Sequence, residues 1–238
     1  MAGGAAFFDL DRTLIRRSSA LALAGSFRRR GLIGRRALAR AGVSQLLFTT
    51  RGANHETVQR ATENGLAVLR GLTPTTMREL VSDAMEPTLR PLVYREALEL
   101  AAAHRERGEP VYVVSATLQE IVEPIAEELG LDGAVGTLCE VVDERYTGRP
   151  LRSCYGRTKA AAVRQLAARM GIDLSASTAY SDGHTDLPFL EAVGRPVAVN
   201  PDRELRRVAA ERGWPVLRFR EALVPRRRVA GALRRRVG

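Results

Sequence analysis

Residues 5–14 read AAFFDLDRTL, an apolar run that ends on two carboxylates, Asp9 and Asp11. In an extended strand, residues two apart point to the same side, so both acids reach the end of the predicted strand together. Carboxylates that crowd each other beside a buried strand cost free energy unless a proton or a cation is present. The pattern predicts a catalytic site at this strand end, and the alternative is a strand followed by an ordinary acidic turn.

The chain is strongly basic, with a formal net charge of +10 and an isoelectric point of about 10.8 over 238 residues. Of its 37 basic residues, Lys159 alone is a lysine. A site that needed only positive charge would be expected to use arginine like the rest of the chain, whereas a compact ammonium group cannot be replaced by a planar guanidinium. The charge is typical of proteins that bind nucleic acid, an anionic membrane surface or phosphorylated small molecules.

Several features favour a cytoplasmic protein. Cys139 and Cys154 are too far apart for a CxxC motif and form neither a disulfide framework nor a zinc signature. No apolar run approaches the ~18 residues of a membrane span, and the first residues lack the basic region of a signal peptide. We therefore predict a reduced, cytoplasmic location.

The alternation of apolar runs and helical patterns predicts an α/β fold with a parallel sheet. Predicted strands follow the first one at residues 110–115, 177–181, 196–199 and 215–219. Predicted helices cover residues 92–107, 118–129, 159–170, 187–193 and 201–212. Residues 135–146 are β-rich, which predicts a strand or a hairpin.

Residues 18–85 are helical in pattern and contain no convincing strand, which predicts a cap inserted after the first strand. The predicted domains are a catalytic core of residues 1–17 and 86–219, a helical cap of residues 18–85 and a basic tail of residues 220–238.

Polar side chains follow the carboxyl ends of several predicted strands. Ligands of such sheets bind at these ends, near the point where the strand order reverses. Asp9, Asp11, Ser115, Asp182 and Asp186 fall there, and Lys159 lies at the start of the helix that follows the β-rich segment, where the same fold would bring it to them. His55 and His104 fall outside this set and are expected at the surface.

The chemistry of these side chains points to phosphoryl transfer. Asp9 can attack phosphorus as a nucleophile, and Asp11 can protonate the leaving oxygen and then activate water. Ser115 and Lys159 are predicted to bind the phosphoryl oxygens. Asp186 is expected to orient a metal-bound water or to hold Lys159.

A magnesium ion is the predicted cofactor because Mg²⁺ prefers oxygen ligands in octahedral geometry. Asp9 and Asp182 can supply carboxylates, and Asp11 can supply its backbone carbonyl. Thr13 is expected to fix the turn below Asp9.

The order of these motifs resembles the haloacid dehalogenase superfamily, subfamily IB, whose members are similar to phosphoserine phosphatase. The four family motifs match Asp9-Leu-Asp11-Arg-Thr13, Val-Val-Ser115, Lys159 and Ser181-Asp182-Gly-His-Thr-Asp186. The resemblance covers about residues 1–219 and implies a Rossmann-like core with an inserted helical cap, Mg²⁺ dependence and an aspartyl-phosphate intermediate. Dehalogenase members lack an aspartate two residues after the nucleophile, so Asp11 favours a phosphatase.

Two departures from phosphoserine phosphatases bear on the substrate. Those enzymes carry a glutamate nine residues after the nucleophile, which resembles a clamp for the substrate amino group, where this chain has Ser18. Their Ser-Gly-Gly after the second strand is Ser115-Ala116-Thr117 here. Loss of a charged partner for an amino group lowers affinity, so phosphoserine is disfavoured and another small phosphorylated metabolite is expected.

The basic charge leaves two alternatives to a soluble phosphatase. One is a binding protein for a membrane surface or nucleic acid, and the other is a membrane-tethered phosphatase acting on a lipid phosphate. In the tail, Val229, Leu233 and Val237 repeat every four residues, a pattern that suits an amphipathic helix on an anionic membrane. A disordered, soluble tail is the other interpretation. We expect at most weak membrane contact through the tail and no specific nucleic-acid partner.

Overall fold

The computed structural model describes residues 3–32 and 66–223. Within these residues seven strands form one sheet: β1 (Ala6–Phe8), β2 (Val111–Leu118), β3 (Gly133–Val142), β4 (Arg145–Arg152), β5 (Thr178–Ser181), β6 (Arg195–Val199) and β7 (Val216–Leu217). Their spatial order is β4-β3-β2-β1-β5-β6-β7, and every neighbouring pair is parallel except β3 with β4. The predicted α/β fold with a parallel sheet is confirmed.

The strand that precedes the two acids lies at the centre of the sheet. β1 pairs with β2 on one side and with β5 on the other. Phe7 and Phe8 are fully buried and belong to two separate hydrophobic clusters, as expected for a parallel sheet covered on both faces. Because the chain builds β2 to β4 on one side of β1 and β5 to β7 on the other, the strand order reverses between β1 and β5. The carboxyl ends of these two strands therefore form the expected ligand-binding crevice.

The helices of the described residues are α1 (Ser19–Arg29), α2 (Pro74–Ala84), α3 (Arg95–Glu106), α4 (Gln119–Glu128), α5 (Arg157–Met170), α6 (Leu187–Leu190) and α7 (Arg203–Arg212). Each of the five helices predicted after residue 92 has a counterpart with similar bounds. The helix α5 ends at Gly171, whose φ of 66° is left-handed; glycine adopts this conformation without strain, which is why it marks the stop. In this part of the chain, no helix combines the length and the apolar character needed to cross a membrane.

The β-rich segment forms a hairpin of β3 and β4, one of the two forms predicted for it. The start of the outer edge of β4 is covered by the end of the inserted segment. The N–H of Tyr146 donates to the carbonyl of Leu72, and the N–H of Gly71 donates to the carbonyl of Tyr146, each at 2.9 Å. These bonds protect an edge strand and attach the insertion to the core.

The insertion between β1 and β2 is helical where the structure describes it. The helices α1 and α2 lie within the predicted cap and contact each other, and α2 also packs on α4 of the core. A π-helical turn, Met85–Leu89, and a 3-10 turn, Arg90–Leu92, connect α2 to the core. Residues 33–65 of the predicted cap lie outside the described residues.

The first residues of the predicted tail are attached to the core. The N–H of Arg95 donates to the carbonyl of Glu221 at 2.8 Å, and the N–H of Leu223 donates to the carbonyl of Val93 at 2.9 Å. The chain from 220 to 223 therefore lies beside the start of α3. Residues 224–238, which include the predicted apolar stripe, lie outside the described residues.

The expectation that His104 lies at the surface is wrong, because its side chain is only 3% exposed. Its Nε2 lies 2.7 Å from the hydroxyl of Tyr180, whose ring stacks on Phe8 with centroids 4.2 Å apart. An alanine-rich helix pattern gives no signal for a hydrogen-bond partner on a distant strand. His55, the other histidine expected at the surface, lies outside the described residues.

Candidate active site

The ammonium group of Lys159 lies between two of the predicted carboxylates. Its Nζ donates to Oδ1 of Asp9 at 2.6 Å and to Oδ2 of Asp186 at 2.5 Å. The hydroxyl of Ser181 donates to the same oxygen of Asp186 at 2.7 Å. These residues come from the end of β1, the first turn of α5 and the end of β5 with the loop that follows it. The fold therefore brings Asp9, Lys159 and Asp186 into direct contact.

Lys159 is a buried cation, with 2% of its side chain exposed. Its Nζ lies 4.8 Å from the centre of the Phe189 ring, so the apolar stem and the aromatic face exclude water from the ion pairs. Burial by itself lowers the pKa of Lys159, but the charges of Asp186 and Asp9 outweigh it and raise the pKa overall. Lys159 therefore carries its positive charge at neutral pH.

A tight loop after β1 positions Asp9. Its N–H donates to the carbonyl of Tyr180 at 2.9 Å, and its carbonyl accepts from the N–H of Leu14 at 3.2 Å. Arg12 has a φ of 63°, and this left-handed residue reverses the chain immediately after the two acids. The loop thus holds Asp9 at the carboxyl end of the central strand.

Thr13, predicted to fix this loop, is fully buried. Its N–H donates to the carbonyl of Leu10 at 3.4 Å, while its hydroxyl finds no hydrogen-bond partner among the described residues. The backbone of Thr13, not its hydroxyl, therefore makes the contact within the turn.

Asp11 is held by the first residue of α1. Its Oδ1 accepts from the N–H of Ser19 at 2.8 Å, and the hydroxyl oxygens of Ser19 and Thr117 lie 3.1 Å apart. The N–H of Thr117 donates to the hydroxyl of Ser115 at 3.1 Å. Sequence reasoning missed Ser19 and Thr117 as site residues. A Ser-Ser pair before an apolar helix signals only the start of that helix.

Asp182 lies close enough to Asp9 and Asp186 to interact with their charges, and 14% of its side chain is exposed. Its Oδ2 lies 3.8 Å from Nη1 of Arg12, and its backbone carbonyl accepts from the N–H of Asp202 at 2.8 Å. The carboxylate of Asp202 in turn accepts from the N–H groups of His184 and Leu205, which ties the loop after β5 to the start of α7. Asp202 was not predicted from the sequence.

The carboxylates of the site are held in surroundings that disfavour their charge. Burial, partly offset by Lys159, raises the pKa of Asp9 to about 7. Burial and the charge of Asp9 raise the pKa of Asp182 to about 8, although Arg12 acts in the opposite direction. Burial also raises the pKa of Asp11, against the hydrogen bonds from Ser19. Without a further cation these carboxylates therefore hold protons more readily than ordinary aspartates do.

The donor atoms at this site suit a hard divalent cation. Across residues 3–32 and 66–223, no three histidine, cysteine or acidic side chains form a metal cluster by themselves. A site built from the carboxylates of Asp9 and Asp182 and the carbonyl of Asp11 does not require such a cluster. Carboxylate and carbonyl oxygens fit Mg²⁺ rather than a metal that takes nitrogen or sulfur ligands.

Comparison with known proteins gives the class to which this fold and site belong. The profile of the haloacid dehalogenase-like hydrolases matches residues 6–191. The chain therefore belongs to that family of hydrolases. The predicted resemblance is confirmed.

Relatives match over most of the chain. A Streptomyces azureus protein named for inhibition of morphological differentiation is 45% identical over 228 residues, covering 95% of this chain and 82% of the relative. A probable phosphatase of Mycobacterium tuberculosis is 44% identical over 225 residues, covering 94% and 78% respectively.

Solved structures share the fold. A Bordetella pertussis protein of unknown function superposes with a TM-score of 0.80 at 31% identity, covering 91% of this chain and 99% of that one. A phosphoserine phosphatase with an analogue of its phospho-aspartyl intermediate superposes with a TM-score of 0.64 at 19% identity, covering 93% and 95%. The second likeness concerns the fold alone. The predictions of the haloacid dehalogenase fold and of a hydrolytic enzyme are confirmed.

Proposed function

We propose that this protein is a Mg²⁺-dependent phosphomonoester hydrolase that acts on a small phosphorylated metabolite in the cytoplasm. The observation that carries the proposal is the buried Lys159 bridging Asp9 and Asp186, with Asp11 and Asp182 in the adjacent loops. A lysine held by two carboxylates at the end of a central strand neutralises charge at a point where an anion can react. A protein that only binds anions has no use for this arrangement of acids.

The proposed reaction has two steps on Asp9. First, a carboxylate oxygen of Asp9 attacks phosphorus, the bond to the leaving oxygen breaks, and Asp11 donates its proton to that oxygen. Second, Asp11 removes a proton from water, the water oxygen attacks phosphorus, and the bond to Asp9 breaks. Phosphate is released, and both aspartates return to their starting protonation states. The raised pKa of Asp11 supports its role as the proton donor.

Ser115 and Lys159 are the proposed ligands of the phosphoryl oxygens. The hydroxyl of Ser115 accepts from the N–H of Thr117 and has no acceptor for its own hydrogen within the described part of the chain. That hydrogen can therefore be donated to a phosphoryl oxygen. Lys159 supplies a positive charge beside the carboxylate of Asp9.

The bound metal ion would supply further positive charge for the phosphoryl group. We assign Asp9, Asp182 and the carbonyl of Asp11 as its protein ligands, and Asp186 as the residue that holds Lys159. The contact between Asp186 and Lys159 supports one of the two roles predicted for that acid.

The proposal is tested by hydrolysis of p-nitrophenyl phosphate. We expect the purified full-length protein to release nitrophenol with MgCl2, to lose this activity with EDTA, and to regain it when excess MgCl2 is added. No hydrolysis of this compound or of a panel of phosphorylated metabolites, at any divalent metal concentration, would exclude the proposal. Within the panel we expect phosphoserine to be a poor substrate, because Ser18 provides no charged partner for its amino group.

Magnesium is expected to stabilise the protein more in alkaline than in acidic solution. The pKa values of Asp9 and Asp182, about 7 and about 8, lie above the usual value for aspartate. The metal-free fold therefore binds more protons than the unfolded chain, and its stability falls as pH rises through these values. Magnesium needs the charged carboxylates, so below about pH 8 it must displace protons, which weakens its binding.

The measurement is the melting temperature with MgCl2 and with EDTA at about pH 6 and about pH 8.5. The increase caused by MgCl2 should be larger at the higher pH and should be strongly reduced in Asp182→Asn. An increase that is equal at both pH values, or larger at the lower one, would contradict the assignment of these carboxylates.

The second candidate function rests on the net charge of +10. A basic protein of this kind is attracted to anionic membranes, either as its sole role or as a tether for a lipid-phosphate phosphatase. Sedimentation with anionic vesicles at physiological salt separates these cases, using the full chain and a chain that ends at residue 223. Binding that depends on residues 224–238, together with phosphatase activity, would indicate the tethered enzyme; binding without activity would indicate a pure binding protein.

A further inference from the structure

Arg12 places a second cation at the candidate metal site. Its Nη1 lies 3.8 Å from Oδ2 of Asp182, and 55% of its side chain is exposed, against 14% for Asp182. An exposed guanidinium therefore lies within ion-pair distance of a mostly buried carboxylate. Lys159, the other cation, is already bonded to Asp9 and Asp186.

The backbone conformation of Arg12 indicates that its long side chain is there for a contact. Its φ of 63° is a left-handed conformation that glycine and asparagine adopt more readily than arginine does. An exposed residue in a reversing loop has no packing reason to be long. The side chain instead reaches Asp182, whose ion-pair partner among the described residues is Arg12.

The charges of the site show what this contact does. Arg12 is the cation that contacts Asp182, which we assign as a ligand of a divalent metal ion, whereas Lys159 contacts Asp9 and Asp186. The guanidinium and such an ion would both interact with the carboxylate of Asp182, and their like charges repel each other.

We propose that Arg12 is a built-in counter-cation of Asp182, which a divalent metal ion displaces when it binds, so that Arg12 lowers the metal affinity of the site and stabilises the metal-free protein. The inference rests on the proposed function in one respect, the assignment of Asp182 as a metal ligand. It adds a residue that tunes how tightly the site holds its metal. A consequence is that the guanidinium is released towards solvent at the mouth of the site when metal binds.

The test is calorimetric titration of the metal-free protein, as the full chain, with MgCl2 at about pH 8.5 and one ionic strength. We compare the wild type with Arg12→Gln, which removes the charge, and with Arg12→Lys, which retains it. Arg16→Gln is the matched control, because Arg16 is an exposed arginine on the same loop with no ion pair to the residues described. We expect Arg12→Gln to bind Mg²⁺ about 3- to 10-fold more tightly, since an exposed ion pair contributes a modest free energy and a divalent ion doubles the repulsion. Arg12→Lys and Arg16→Gln should bind within about 2-fold of the wild type.

A second readout requires no metal. In EDTA, Arg12→Gln should melt about 1–3 °C below Arg16→Gln, because it loses the counter-charge of a buried carboxylate. Saturating MgCl2 should remove or reverse this difference. Magnesium affinity of Arg12→Gln that is equal to or weaker than that of the wild type would overturn the inference while leaving the phosphatase proposal intact. Absence of Mg²⁺ binding and of hydrolysis in the wild type would overturn both.

Discussion

Asp9→Asn is expected to lower kcat for an aryl phosphate by at least about 1,000-fold, as is typical when a catalytic nucleophile is removed. The amide oxygen is neutral and a poor nucleophile, so the bond to phosphorus cannot form. The variant keeps the size and shape of the side chain, and its amide oxygen can still accept from Nζ of Lys159. We therefore expect it to fold and to bind Mg²⁺ more weakly.

The free energy of unfolding distinguishes loss of the nucleophile in Asp9→Asn from misfolding of the variant. The charge of Asp9 is disfavoured by burial, as its pKa of about 7 shows, so a neutral amide is tolerated there. The free energy of unfolding in EDTA should stay within about 1 kcal/mol of the wild type. Asp143→Asn is the matched control, because Asp143 is exposed in the β3–β4 turn with a φ of 47°, which asparagine adopts readily. If Asp9→Asn hydrolyses the aryl phosphate as fast as Asp143→Asn does, the assignment of Asp9 as the nucleophile is wrong.

Lys159→Met is expected to destabilise the metal-free protein by about 3–5 kcal/mol near neutral pH, the range observed when one partner of a buried ion pair is removed. Methionine fills most of the volume of the lysine stem. It leaves the carboxylates of Asp9 and Asp186, each within 2.6 Å of Nζ in the wild type, without a cation between them. Activity should fall together with stability, because the charge beside the phosphoryl group is also lost.

The pH dependence of the stability lost in Lys159→Met identifies the cause of that loss. Without the ammonium group, the pKa of Asp9 rises above its value of about 7, so the folded state binds protons that the unfolded chain does not. The destabilisation should therefore grow as pH rises through neutrality and shrink as pH falls towards about 5. Urea unfolding across this range measures it. A loss that is independent of pH would indicate a packing defect and not unpaired carboxylates.

Two further variants complete this test. Arg164→Met removes a positive charge from the exposed face of the same helix, α5, and should change stability by less than about 0.5 kcal/mol. Lys159→Arg keeps the charge but introduces a planar, branched group into a site where the side chain is 2% exposed and packs on Phe189. We expect Lys159→Arg to be as inactive as Lys159→Met, because the guanidinium cannot take the place of a compact ammonium. Full activity of Lys159→Arg would show that this site needs only positive charge.

The sequence predicted the core elements well because their signals are local. Short apolar runs alternating with helical patterns specify a parallel sheet, and the glycine at 171 marks the end of α5 through its own backbone freedom. Five of the six candidate residues were placed at strand ends by the same reasoning, since parallel strands end at one edge of the sheet. Lys159 was placed at the start of a helix.

Contacts between distant segments were missed because no local pattern encodes them. The hydroxyl pair of Ser19 and Thr117 joins residues 98 positions apart, and the pairing of Tyr146 with Leu72 covers a strand edge that the sequence does not show as covered. His104 was misplaced for the same reason: its burial depends on the position of Tyr180 in a strand that follows much later.

By itself, the sequence predicted which side chains are candidates for the chemistry and at which edge of the sheet they lie, because residue type and the alternation of elements are properties of short stretches. The tertiary structure alone decided which atoms meet. It placed Lys159 between Asp9 and Asp186, set the cap residue Ser19 against Asp11, and turned Arg12 towards Asp182. Contacts at this scale depend on how the helices pack on the sheet and on side-chain conformation, which are long-range properties of the folded chain.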